Sequence, residues 1–154
     1  MDLKLTAITL ILCLSSCAGR EITITDNNGK VVGECIGGAD WHFYGLQDTI
    51  DYQLYLCAKD LIEKGYTVSD KSLLERDFTL PKPPEGKSWN KKLAMHHFKN
   101  GDITEQKLGY ILAATEHEYI MISRAANDKF TQGKISKSQF DQIIKDAKYI
   151  WLGE

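Results

Sequence analysis

Proline is scarce: the 154-residue chain has three, all within residues 81–84, so it holds one rigid breaker and no proline-rich linker. Charge of one sign is lacking too, because 19 Lys and Arg nearly offset 21 Asp and Glu and leave a net charge of −2. Without a basic stripe, nucleic-acid binding is disfavoured. No apolar run is long enough to cross a bilayer. The longest, from Leu5 to Leu14, rises about 15 Å as a helix, roughly half the hydrocarbon thickness.

Signatures of catalysis are also missing. There is no GxSxG elbow, no Walker loop and no glycine fingerprint for a dinucleotide. Glu116-His117-Glu118 lacks the HExxH spacing and reads as the solvated side of a helix. His96 and His97 project about 100° apart on a straight helix, which does not aim both at one ion. Carboxylates are plentiful, but spacing pairs none of them for acid/base work. No catalytic residue, metal or cofactor is therefore expected.

What is present begins at the N-terminus. A short head with Lys4, an apolar stretch from Leu5 to Leu14, and then Ser15, Ser16 and Cys17 follow the order of an export signal. Leu14-Ser15-Ser16-Cys17 resembles a bacterial lipobox, and this segment is similar to those of bacterial lipoproteins as a class. The rest of the chain carries no residues that define a functional family. The resemblance implies removal of residues 1–16 and acylation of Cys17 as the new N-terminus. Each buried CH₂ then contributes about 0.8 kcal/mol of affinity for the lipid bilayer. Ala18 after the lipidated Cys resembles the outer-membrane sorting class. The implied location is the bacterial cell envelope, on the outer membrane facing the periplasm or at the cell surface.

The same resemblance bears on the four cysteines. Cys13 leaves with the signal and Cys17 is acylated, so Cys35 and Cys57 remain in an oxidising compartment and a disulfide between them is implied. Closing a loop of about 20 residues contributes roughly 3 kcal/mol in the chain-entropy model. Two buried free thiols are the alternative, and neither Cys has a catalytic signature around it.

Residues 17–154 are near the commonest single-domain size, and one α+β domain is expected. Its β-rich part covers about 21–68. Glu21–Thr25 alternates polar and apolar, Asp26-Asn27-Asn28-Gly29 supplies a turn, and Lys30–Ile36 is again β-rich, which reads as a hairpin. Residues 46–64 carry the helical seam Leu46, Ile50, Leu54, Cys57, Leu61 and stop at Gly65. Tyr66–Val68 suits a third short strand. The expected fold is a small hairpin-based sheet packed on that helix, followed by a three-helix antiparallel bundle-like half over about 88–152.

In that second half, Ser88 is the expected cap of a helix to about Lys99, Thr104 of one over 105–131, and Ser136 of the last. Leu108, Leu112, Thr115, Tyr119, Ile122 and Ala126 form the seam of the long helix; Phe140, Ile143, Ile144, Ala147 and Trp151 form that of the last. Asn100-Gly101-Asp102-Ile103-Thr104 and Gln132-Gly133-Lys134-Ile135-Ser136 share one pattern. It predicts two tight helix reversals with Gly at C′ and the Ile folded back at C″.

The run Trp41-His42-Phe43-Tyr44 lies between hairpin and helix. Trp41, His42 and Tyr44, with Trp89 beside the proline loop, are the candidates for binding a partner, because Trp and Tyr are enriched at interaction hot spots. Core packing is the competing role. Few residues separate Cys17 from the first strand, a tether of roughly 10 to 14 Å that keeps the domain at its membrane. The functional expectation is a non-catalytic, protein-binding lipoprotein of accessory or inhibitory, immunity-like kind with an envelope protein as partner. An envelope enzyme with a non-obvious site and a structural or assembly lipoprotein are the alternatives.

Overall fold

The computed structural model describes residues 19–38 and 44–154. Strands β1 (Gly19–Thr25) and β2 (Val31–Gly38) form the expected antiparallel hairpin, with Ile22 opposite Cys35 and Glu21 opposite Ile36. The Asp26 carboxylate closes the turn by accepting from the amides of Asn28 and Lys30, at 2.8 and 2.9 Å. Strand β3 (Thr67–Val68) pairs with β1 at Ile24, so β1 is the middle strand and β2 lies at the edge.

Helix α1 (Leu46–Glu63) places Ile50, Leu54 and Ala58 in one core with Ile22, Ile24 and Cys35 of the hairpin. A 3₁₀ turn (Lys71–Leu74), whose Asp70 side chain accepts from the Ser72 amide, adds Leu73 to that core. Helices α2 (Lys91–Lys99), α3 (Glu105–Thr131) and α4 (Lys137–Leu152) follow, giving the expected α+β class.

The caps at Thr104 and Ser136 form as the sequence suggests, the latter as a full capping box with Gln139. Ser88 does not cap α2. The Asn90 side chain does, accepting from the Leu93 amide at 2.8 Å, because α2 begins only at Lys91 and its third amide lies within reach of position 90. Both helix reversals also end one residue differently from expectation. The amides of Gly101 and Asp102 bond to the Phe98 and His97 carbonyls at 3.0 and 2.9 Å. Gly133 and Lys134 bond likewise to Phe130 and Lys129 at 2.9 and 2.8 Å. C″ is thus Asp102 or Lys134, and Ile103 and Ile135 follow it.

Helix α3 ties the molecule together. Tyr110 and Ala113 belong to the core beneath the sheet, while Leu108, Ile111 and Leu112 form a second core with Ala94 of α2. Helix α1 packs against α3 as well, so the two parts read from the sequence share one helix. The crossing is close because both partners are glycines: a Cβ on Gly109 would stand 2.6 Å from the Gly45 carbonyl oxygen and 2.8 Å from Asp48 Cβ. Thr49, wholly buried, donates to the Gly45 and Gly109 carbonyls at 2.8 and 3.2 Å. Farther along, α3 and α4 pack together through stacked Tyr119–Trp151 and Phe130–Phe140, with ring centroids 4.8 and 5.3 Å apart.

Candidate interaction surface

Cys17, Trp41 and His42 lie outside the described residues. Of the remaining aromatic candidates, Tyr44 is 47% exposed and packs its ring 5.1 Å from Phe98 of α2. Trp89 is half-buried against the second core; its indole N–H donates to the Pro81 carbonyl at 2.8 Å and its ring meets His97 edge-on. Trp89 therefore fastens the proline loop to α2. It also lines an open concavity of about 880 Å³ between the start of α2 and the end of α4, together with Lys87, Lys92, Tyr149 and Ile150.

The histidines are held separately. His97 Nδ1 pairs with the Asp102 carboxylate at 2.8 Å, and His96 Nε2 meets the Asn100 amide nitrogen at 3.1 Å. Among the described residues no three His, Cys, Asp or Glu side chains gather at metal-binding distance.

Cys35 and Cys57 stand at disulfide distance, with Cα atoms 6.0 Å apart. Cys35 is buried on the inner face of the edge strand and Cys57 is half-buried on α1. The link joins the edge of the sheet to the helix that covers it.

A polar cluster secures the other strand. Arg20 of β1 reaches Asp51 of α1 at 2.7 Å and also pairs with Asp70. Arg76 pairs with Asp51 too and lies 3.7 Å from Asp48. Burial opposes the charge on Asp51, but hydrogen bonds from Arg76, Gln47 and Arg20 and the Arg76 charge prevail and hold its pKa below the usual 3.8. Asp70 is lowered chiefly by the hydroxyl and amide of Ser72, with Arg20 adding its charge and a hydrogen bond. These charged groups satisfy one another, and the cluster fixes the start of β1 to the body of the domain.

A second concavity has no counterpart in any sequence pattern. A groove of about 610 Å³ has its floor on α1, with Gln53, Leu56 and Cys57, one side on Ile36 and Gly38 of β2, and the other on α3. Ile120, Met121 and Arg124 belong to that α3 side. Its contributors come from three separate stretches of chain, which α1 brings together by packing against both β2 and α3. Ile36 is 69% exposed and Met121 50% exposed. Of the run Glu116-His117-Glu118, His117 and Glu118 are solvated as expected, whereas Glu116 is half-buried and accepts from the Gln53 side chain at 3.2 Å. Among the described residues no helix is long and apolar enough to cross a membrane. No protein-family model, curated protein or solved structure matches the chain.

Proposed function

We propose that this chain is an exported bacterial lipoprotein, held in the cell envelope through acylated Cys17, that works as a non-catalytic protein-binding module of accessory or inhibitory kind. The observation that carries this reading is the Cys35–Cys57 pair at disulfide distance, the arrangement suited to an oxidising compartment outside the cytosol. It joins the lipobox-like Leu14-Ser15-Ser16-Cys17, which would deliver the chain there.

The start of β1 supports the same reading. The first strand begins at Gly19, two residues earlier than the alternation from Glu21 suggests, and only Ala18 separates it from Cys17. That interval is about 7 Å even when fully extended, shorter than the tether read from the sequence. Arg20 is in turn fixed to Asp51 and Asp70. An acyl group on Cys17 would therefore draw the domain itself to the bilayer surface, where its partner is a protein of the same membrane.

Metabolic labelling with an alkyne fatty acid tests the anchor. The wild-type chain should take up label and sediment with membranes, and Cys17→Ser should do neither. Equal labelling of both, or a soluble wild-type chain with its first sixteen residues intact, would overturn the proposal.

A further inference from the structure

The geometry points to the groove between β2 and α3 as a docking site for an extended polypeptide segment of a partner protein, added to the sheet at the edge of β2. This inference deepens the protein-binding reading above and rests on it.

The edge is the first support. Strand β2 is eight residues long and, among the described residues, pairs only with β1. The Gly38 amide donates to the Gln53 side-chain oxygen at 2.9 Å, on the side away from β1. Alternation along an antiparallel strand then aims the N–H and C=O of Ile36 and Glu34 the same way. A side-chain amide already fills one rung of the missing ladder, and among the described residues no strand fills the next rungs. An unpaired edge of this kind takes a further strand through main-chain bonds, with pockets reading alternate side chains.

The groove supplies such pockets beside the edge. Leu56 lies on its floor, and Ile120 and Met121 line the side opposite β2. From Glu116 to Arg124 the wall rises about 12 Å along the helix, the length of roughly four extended residues. Charge narrows the partner further. Lys64 is bridged to Asp60 at 2.6 Å, whereas Arg124 has no ion-pair partner among the described residues. The favoured segment alternates apolar side chains and carries a carboxylate that meets Arg124.

The test uses the full chain, produced in bacterial membranes and purified in detergent, as bait for a display library of random twelve-residue peptides. Peptides enriched by the wild type should bind Ile36→Pro and Met121→Asp at least tenfold more weakly. Ile36→Pro removes one outward N–H at a sheet edge, where proline is tolerated, and Ile36→Thr, which keeps it, should retain binding. Met121→Asp decides the matter if the proline variant does not fold. No enrichment above the Met121→Asp bait, or equal binding to wild type and variants, would overturn the inference. A dimer in sedimentation that Ile36→Pro dissolves would overturn it in favour of self-pairing. A chain that selects groove-dependent peptides but takes no fatty-acid label keeps the groove and loses the anchor; the reverse result keeps only the anchor.

Discussion

Asp51 carries its charge with 8% of its side chain exposed, and it does so because Arg20 and Arg76 approach from two different parts of the chain. Each arginine is about a third exposed, so water recovers part of what either would lose with its partner gone. Asp51→Asn should therefore cost about 2 kcal/mol, within the range for hydrogen bonds to charged groups, measured by urea unfolding at neutral pH. The pH dependence has a definite sign. Asp51 and Asp70 are depressed in the folded chain, so the unfolded state binds their protons more readily. Their contribution is present above the ordinary value of 3.8 and fades as pH falls through that value and below it. The wild type should lose stability across that interval, and Asp51→Asn should show a shallower decline; parallel curves would deny the cluster its role. None of this was legible in the sequence, since Arg20, Asp51 and Arg76 share no local pattern.

At the scale of the element, local chemistry was readable wherever it acts within one turn. Thr104 and Ser136 are hydroxyls three residues before the amides they bind, and Gly101 and Gly133 sit where the chain needs positive φ. Ser88 misled because two further residues, Trp89 and Asn90, belong to the loop, and Asn90 is an equally good cap. The groove was not legible, because Ile36 and Met121 meet only through α1, which packs against both β2 and α3. Gly109 was hidden for the same reason: inside a helix it looks like a weak point, yet it is where the N-terminal end of α1 rests on α3. Gly109→Ala should therefore destabilise despite the better helix propensity of alanine. A Cβ within 2.6 Å of a backbone oxygen forces the two segments apart, at about 1 to 3 kcal/mol for overpacking. A raised melting temperature in calorimetry would show that the crossing is looser than this.

For the whole molecule the question is whether a sheet side and a helical side unfold together. Tyr110 and Ala113 enter one core and Leu108, Ile111 and Leu112 the other, interleaved within about one and a half turns of α3, and Leu80 packs against both. Losing either core exposes a face of the helix that the other needs. The disulfide acts within this unit: it closes a loop between positions 22 residues apart, worth about 3 kcal/mol in the chain-entropy model, and it binds the edge strand to α1 rather than one core to the other. Replacing both cysteines by alanine should thus leave a single urea transition and lower its midpoint by about 1 to 3 M, given slopes of about 1 to 3 kcal/mol/M. Fluorescence and circular dichroism should follow the same curve. If the two probes separate, with the sheet melting first, α3 does not couple the cores.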